Sequence, residues 1–151
     1  MSRPKKQRSV QRPPLYSNFK PTGVRGASLQ TTELALDEFE AVRLADYEGL
    51  DHAESAEQMG ISRSTFSRLV DKARHKIAHF IIDGRHLQIE GGNIHFQGNL
   101  LQCHGCGRIF NVAFNEEVNR CPSCESTNLI DLAGGYGHGS CCRNHHQQKG
   151  T

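Results

Sequence analysis

Two pairs of cysteines constrain the fold of this chain more than any other feature of its sequence. Cys103 with Cys106, and Cys121 with Cys124, each have the spacing Cys-x-x-Cys, and fourteen residues separate the pairs. Four thiolates at this spacing can close a tetrahedron around one Zn²⁺ ion while the residues between them form a hairpin. So short a segment cannot bury a large core, so we expect metal binding to drive its folding. The sequence therefore predicts a small β zinc ribbon at residues 94–133, with Zn²⁺ as its cofactor.

Two other chemistries stay open for these cysteines. A redox centre would use one Cys-x-x-Cys at the start of a helix, whereas both pairs here lie in β-like sequence. An iron site could use the same four thiolates. A metal held by four cysteines leaves no open position for a substrate, and no catalytic motif accompanies the cysteines. We therefore expect a protein that is not an enzyme.

The other two cysteines lie in a segment rich in glycine and histidine. Because this segment has no apolar periodicity, we predict a flexible tail at residues 134–151. Its two cysteines are adjacent, so no fixed ligand geometry follows. The pattern favours adventitious metal affinity over a site for metal capture or sensing. The candidate ligands of such a second site are His138, Cys141, Cys142, His145 and His146.

Upstream of the cysteines, apolar residues recur with the period of α-helices. Asp37, followed by Glu40 three residues later, predicts the start of a first helix. A second helix over about 51–59 follows, and Ser62 is a good N-cap for a third, longer helix. Between residues 66 and 81 the apolar side chains recur at intervals of three and four. The sequence therefore predicts a mainly α fold.

The second and third helices have the spacing of a helix-turn-helix. Ala56 is small enough to let two helices approach, and Gly60 can adopt the positive φ of the turn. Phe66 would fill the angle between the helices. We predict a helix-turn-helix domain at residues 27–93, followed by the zinc ribbon and the tail.

Charge is segregated along the chain although the formal net charge is only +2. Residues 1–26 hold seven basic and no acidic side chains, and we predict that they form a basic extended arm. Residues 27–60 hold nine acidic side chains and one basic, and residues 61–90 hold six basic and three acidic. The arm and the third helix favour double-stranded DNA as partner. The acidic block is expected to face away from it.

The outer face of the third helix, at residues 62–79, carries the side chains that we expect in the major groove. Arg68 is the best candidate for a bidentate contact to guanine. For the arm at residues 1–26, the alternative to DNA contact is a disordered, solubilising tail. The expected base contacts are Arg63, Ser64, Thr65, Ser67 and Arg68; the expected phosphate contacts are Lys72, Arg74, His75 and Lys76; and those of the arm are Arg3, Lys5, Lys6 and Arg8.

The order of several separated motifs resembles one known family. Over roughly residues 3–93 the chain is similar to the domain of unknown function 134 family, small prokaryotic proteins described as predicted DNA-binding proteins. The family's helix-turn-helix resembles the fourth conserved region of sigma factors, so the resemblance implies DNA binding and regulation. Ser55 stands where the family pattern leads us to expect Ala. The motifs are Arg3-Pro4, Phe19-Lys20-Pro21 with Gly23, Asp37-Glu38, Glu40-Ala41, Arg43-Leu44, Asp46, Glu48-Gly49, Met59-Gly60-Ile61-Ser62-Arg63, Thr65-Phe66, Arg68, Ala73-Arg74 and Ile89-Glu90-Gly91-Gly92.

Together these features predict a sequence-specific DNA-binding transcriptional regulator. The alternatives are a sigma-like adaptor that contacts RNA polymerase or another protein, and a metal-responsive regulator that uses the ribbon and the tail. A homodimer stays open, because many such proteins bind two half-sites. No run of eighteen apolar residues and no secretory signal occurs, so we expect a cytoplasmic protein without membrane contact.

Overall fold

A computed structural model describes residues 7–138 and 141–142 of the chain, and these residues form two compact units. The first unit contains residues 7–9 and 16–94, and the second contains residues 10–15, 95–138 and 141–142. The strands β1 (Arg8–Val10) and β5 (Ile94–Phe96) pair with each other, and each runs from the first unit into the second.

The prediction of a mainly α fold is wrong. Of the described residues, 37% are helical and 22% lie in strands, which form three sheets. The first unit contains a sheet of three strands that helical periodicity does not reveal: β2 (Asn18–Phe19), β3 (Thr31–Leu34) and β4 (His86–Ile89). These strands are two to four residues long, too short for apolar alternation to be recognised with any certainty in the sequence.

The strand β4 lies at the centre of this sheet. It is antiparallel to β2 and parallel to β3. Parallel neighbours cannot be joined by a tight turn and need a crossover connection. Here the crossover contains three α-helices: α1 (Leu36–Val42), α2 (His52–Met59) and α3 (Arg63–Asp83). The sheet therefore holds both ends of the helical segment side by side.

The predicted extent of α2 and the predicted N-cap of α3 are confirmed. The side chains of Asp51 and Ser62 each accept a hydrogen bond from the backbone N–H three residues later, at 2.8 and 3.2 Å. These bonds satisfy N–H groups that the first helical turn leaves without a partner. Gly60 and Gly84 end the two helices with φ of 69° and 63°, a left-handed conformation that glycine adopts readily.

The prediction that Asp37 and Glu40 cap α1 is wrong. The residue before the helix is Ala35, and its backbone N–H donates to Glu38 Oε1 at 2.9 Å. Asp37 and Glu40 accept hydrogen bonds from arginine side chains instead. Beyond α1 the chain continues into a π-helical turn at Arg43–Tyr47. Glu38, three positions after Ala35, is the acidic residue that marks the start of α1. Sequence reasoning missed it because alanine is a poor N-cap residue, from which no cap is predicted.

The three helices pack around Phe66, whose side chain is fully buried. Its neighbours in the core come from α1, the π-helical turn, α2 and α3. Towards its C-terminal end α3 leaves this core, and Ile81 and Ile82 are 65% and 81% exposed. None of the described helices has the length and apolar character needed to cross a membrane. The core cluster consists of Ala41, Leu44, Ala56, Met59, Phe66, Leu69 and Val70.

The second unit is built on an antiparallel sheet of three strands. The central strand β6 (Gly98–Cys103) pairs with β7 (Ile109–Ala113) on one side and with β8 (Leu129–Asp131) on the other. One helical turn, α4 (Leu132–Gly135), follows β8 directly. The buried side chain of Asn99 donates to Asp131 at 2.6 Å and accepts from the backbone N–H of Ala133 at 3.0 Å, so it joins β6 to the start of α4.

We predict that Phe66→Ala lowers the free energy of unfolding of the helical unit by about 3–5 kcal/mol, because it removes a buried ring and leaves a cavity. Urea titration followed by circular dichroism at the helical minimum measures this change. Ile82→Ala, in the same helix but exposed, is the control and is expected to change stability by about 0.5 kcal/mol or less. If Phe66→Ala does not fold, Phe66→Leu is expected to show a smaller loss of the same sign. Equal effects at Phe66 and Ile82 would contradict this account of the core.

Candidate functional site

The four cysteines of the two Cys-x-x-Cys pairs lie together at one end of the second unit's sheet. Their Sγ atoms all lie within 4.8 Å of one another. Cys103 Sγ is 3.4 Å from Cys124 Sγ, and Cys106 Sγ is 3.7 Å from Cys121 Sγ. The edge of a tetrahedron with metal–sulfur bonds of about 2.3 Å is about 3.8 Å. The four thiols could therefore hold a single metal ion.

The two cysteine turns have the same backbone conformation. In each turn the residue after the second cysteine donates its N–H to the carbonyl of the first: Gly107 to Cys103 at 2.8 Å, and Glu125 to Cys121 at 2.9 Å. Both donors have positive φ, 78° and 62°. For Glu125 this conformation is unusual, because a side chain disfavours it. The sequence Cys-x-x-Cys-Gly signals such a turn in the first pair, whereas the second pair carries no such signal.

Backbone N–H groups point at the sulfur atoms inside each turn. The N–H of Cys106 donates to Cys103 Sγ at 3.4 Å, and that of Ser123 donates to Cys121 Sγ at 3.4 Å. The hydrogen bond from the Cys106 backbone lowers the pKa of Cys103 to about 6. The backbone of Ser126 lowers the pKa of Cys124, but the facing Cys103 and burial raise it to about 12. Crowded thiolates repel one another, and a cation among them would offset this repulsion.

The outer face of α3 carries most of the residues that the sequence predicts for DNA contact. Arg63, Ser64, Arg68 and Lys72 are exposed. Arg63, Arg68 and Lys72 form no ion pair with a carboxylate in the part of the chain that the structure describes. They lie in about the first three turns of the helix, next to the turn that joins it to α2.

Two cations further along α3 are paired with the acidic block. Arg74 donates to both carboxylate oxygens of Asp46, at 2.7 and 3.0 Å, and Lys76 Nζ lies 2.7 Å from Glu38 Oε1. The hydrogen bonds from Arg74 lower the pKa of Asp46 below its usual value. These carboxylates therefore neutralise the C-terminal half of the predicted DNA-contacting face.

Arg8 of the predicted arm lies close to α3. It donates to Asp37 Oδ2 at 2.6 Å, and it lines a cleft of about 680 Å³ together with Arg68 and Lys72. The cleft thus brings together one arm residue and two helix residues that the sequence places sixty residues apart. The remaining predicted arm contacts, Arg3, Lys5 and Lys6, lie outside the described residues.

The other predicted contacts on α3 have local partners. Ser67 Oγ lies 2.8 Å from His52 Nδ1, which joins α3 to the start of α2. Thr65 Oγ1 accepts a hydrogen bond from the N-cap Ser62 at 2.8 Å. His75 Nε2 lies 3.1 Å from His79 Nε2, one turn along the helix. Ser67 and Thr65 are half-buried, so Arg63, Ser64 and Arg68 are the more accessible of the predicted base contacts.

The candidate ligands of the C-terminal segment are partly described. His138 Nδ1 lies 3.3 Å from Cys141 Sγ and 3.7 Å from Cys142 Sγ, and burial lowers the pKa of His138. His145 and His146 lie outside the described residues. His95, on β5, joins Cys141 and Cys142 in a group of ligand atoms within 4.8 Å of one another. Sequence reasoning missed His95, because nothing in a strand signals a partner more than forty residues away.

Several proteins are similar to the chain over most of its length. A UPF0251 protein of Chloroherpeton thalassium is 48% identical over 132 residues, which cover 87% of each chain. A UPF0251 protein of Pelotomaculum thermopropionicum is 41% identical over 83% of this chain and 95% of its own. One from Caldicellulosiruptor bescii is 37% identical over 96% and 98%. No solved structure matches the chain.

The first 97 residues match a family model as well. That model is described as "Protein of unknown function DUF134", and it matches residues 1–97, from the predicted arm to just beyond β5. The match includes the three helices and the sheet of the first unit but not the four-cysteine cluster. The chain therefore belongs to the DUF134 family.

Proposed function

We propose that the chain is a sequence-specific DNA-binding protein that regulates transcription and reads the major groove with the N-terminal half of α3. The observation that carries the proposal is the distribution of charge on this helix. Arg63, Arg68 and Lys72 are exposed without a described carboxylate partner, whereas Arg74 and Lys76 are neutralised by Asp46 and Glu38. Cations without a protein partner are available for phosphates and base edges.

The turn between α2 and α3 supports the same proposal. In a helix-turn-helix the second helix enters the major groove with its N-terminal residues, and the first helix crosses the backbone. The exposed cations of α3 lie in this N-terminal part, directly after the left-handed Gly60. Arg68 remains the candidate for bidentate contact with guanine, and Arg63 and Ser64 lie one turn before it. Lys72, which shares a cleft with Arg68, is the candidate for an adjacent phosphate, whereas Arg8 lines the same cleft but is held by Asp37.

The paired residues receive a different role in this proposal. Arg74 and Lys76 hold α3 against the acidic segment that contains α1 and the π-helical turn, and so position the helix instead of contacting DNA. Removal of either cation would leave its carboxylate without this ion pair. The proposal therefore has fewer phosphate contacts than the sequence predicts, because Arg74 and Lys76 are no longer among them.

We further propose that the four clustered cysteines bind one structural Zn²⁺ ion. The sulfur separations fit a mononuclear tetrahedral site, and backbone N–H groups point at Cys103 and Cys121 as they do in metal-binding cysteine turns. A cluster of several irons would hold its ligands further apart than 4.8 Å, because the irons themselves occupy the centre. A single iron would fit the same ligands, and metal analysis distinguishes it from zinc.

The first prediction concerns DNA binding. Selection from a random pool of duplexes by the purified full chain is expected to enrich one motif. Arg68→Ala is expected to weaken binding to that motif by about 1–3 kcal/mol and to relax the preference at one base pair. Arg120→Ala removes the same charge from an exposed position in the second unit and is the matched control. No enrichment, or equal losses at Arg68 and Arg120, would contradict the proposal and favour a protein-binding adaptor.

The second prediction separates phosphate contacts from base contacts by salt. Lys72→Ala is expected to weaken binding to all sequences alike and to reduce the slope of log K against log salt by about 0.9, which corresponds to one phosphate contact. Arg74→Ala is expected to leave this slope unchanged, because Asp46 already holds its guanidinium. Fluorescence anisotropy at several salt concentrations measures both slopes. A reduction at Arg74 with none at Lys72 would reverse the proposed assignment.

The third prediction concerns zinc. Cys106→Ser is expected to remove the zinc of the four-cysteine cluster and to increase amide hydrogen exchange throughout β6, β7 and β8, while α1–α3 keep their protection. His104→Ala, an exposed change inside the same turn, is expected to retain both the metal and the protection. Elemental analysis and hydrogen-exchange mass spectrometry measure these results. A Cys106→Ser chain with unchanged protection of the three strands would show that no metal stabilises them.

A further inference from the structure

We propose a second metal site in the second unit, formed by His95, His138, Cys141 and Cys142. Two thiolates and two imidazoles form a ligand set that is typical of Zn²⁺ in structural sites. This site is distinct from the four-cysteine cluster, with which it shares no ligand. It does not depend on the proposed DNA binding.

The distances among three of the ligands fit one tetrahedral ion. Cys141 Sγ and Cys142 Sγ are 3.8 Å apart, and His138 Nδ1 lies 3.3 and 3.7 Å from them. With metal–sulfur bonds of about 2.3 Å and metal–nitrogen bonds of about 2.0–2.1 Å, the edges of a tetrahedron are about 3.8 Å between sulfurs and about 3.5 Å between sulfur and nitrogen. The thiols are also much further apart than the bond of about 2.05 Å in a disulfide.

The fourth ligand comes from a distant part of the sequence. His95 lies on β5, and one of its ring nitrogens lies within 4.8 Å of both Cys141 Sγ and Cys142 Sγ. The adjacent cysteines alone imply no ligand geometry. The fold, however, brings the imidazole of the distant His95 close to them, and the imidazole of the neighbouring His138 lies beside them as well. This convergence distinguishes a built site from a tail with adventitious affinity.

The surroundings of the ligands support metal binding at this position. Cys142 is fully buried, and the backbone N–H of Phe96 donates to its Sγ at 3.1 Å. An N–H donor to sulfur stabilises the thiolate form that a metal requires. The ring of Phe96 also packs edge-on against His138, with centroids 5.2 Å apart, and so orients the imidazole. A hydrogen-bonded sulfur and an oriented ring are the outer contacts expected around metal ligands.

The metal would connect the end of the described chain to β5, which leads into the three-stranded sheet. Close to the site, Tyr136 donates its hydroxyl hydrogen to the carbonyl of Pro14 at 3.3 Å. A metal held by His95 on β5 and by His138, Cys141 and Cys142 would close a loop that contains the whole three-stranded sheet and the four-cysteine cluster. The role that follows is structural, because a tetrahedral site with four protein ligands leaves no position for a substrate.

The experiment titrates the metal-free, fully reduced full chain with Co²⁺, which takes the same ligands and absorbs visible light. We expect two equivalents to bind tetrahedrally, one with the strong charge-transfer absorption of four thiolates and one with about half that intensity. Cys141→Ser and His95→Asn are each expected to reduce the stoichiometry from two to one and to leave the four-thiolate spectrum intact. Cys141 is exposed, so its serine variant tests the site without opening the core. His86→Asn, in the sheet of the first unit, is the control and is expected to keep both equivalents.

Three results would overturn the proposal. One is a single equivalent of Co²⁺ in the unmodified chain that has the four-thiolate spectrum. Another is a second equivalent that survives both Cys141→Ser and His95→Asn, because other residues then bind it. The last is a disulfide between Cys141 and Cys142 in the metal-free chain under reducing conditions, located by mass spectrometry of the peptides. A failure of the four-cysteine cluster is recognised separately, since it removes the four-thiolate spectrum and leaves the weaker one.

Discussion

The parallel pairing of β3 with β4 is the constraint on which the first unit depends. Leu34 lies opposite Ile89, so the chain must leave the sheet, form its helices and return to the neighbouring position. Three helices and a π-helical turn fill this crossover and bury Phe66 among them. The order of the segments leaves the N-terminal half of α3 exposed beside the start of α1. The surface that we propose for DNA reading is therefore a product of the sheet as much as of the helices.

Electrostatic pairing within the first unit divides the cations of α3 into two groups. The acidic segment supplies Asp46 and Glu38, and these carboxylates bind Arg74 and Lys76 across the helical layer. Arg63, Arg68 and Lys72 lie nearer the N-terminal end of the helix and have no carboxylate partner among the described residues. A helix whose composition suggests one continuous basic face thus has a neutralised half and a charged half. Arg8, from the first strand, lies beside the charged half and is itself paired with Asp37.

In the second unit, the clustered cysteines accompany a sheet that is too small to be very stable by itself. Its strands are three to six residues long, and much of its sequence between β7 and β8 is irregular. A sheet of this size has little buried apolar surface from which to gain stability, and metal binding can supply what is missing. Much of this was predictable, because Cys-x-x-Cys spacing and short β-like runs are local patterns. His95 was not, because its neighbours in space lie far from it in the sequence.

The sequence by itself determined what depends on residues close together in the chain. The ends of α2 and α3 follow from Asp51, Ser62 and their glycines, and the four-cysteine set follows from its spacing, because capping bonds and cysteine turns form within a few residues. Only the tertiary structure decided which strands pair, which cations are neutralised and which histidine joins Cys141 and Cys142. Those contacts join residues tens of positions apart. A short strand or a single charge could pair with many segments or residues of the chain, and the sequence alone does not distinguish among them. Packing of the whole unit selects among them, and therefore the mainly α prediction was wrong although the three helices of the first unit were predicted.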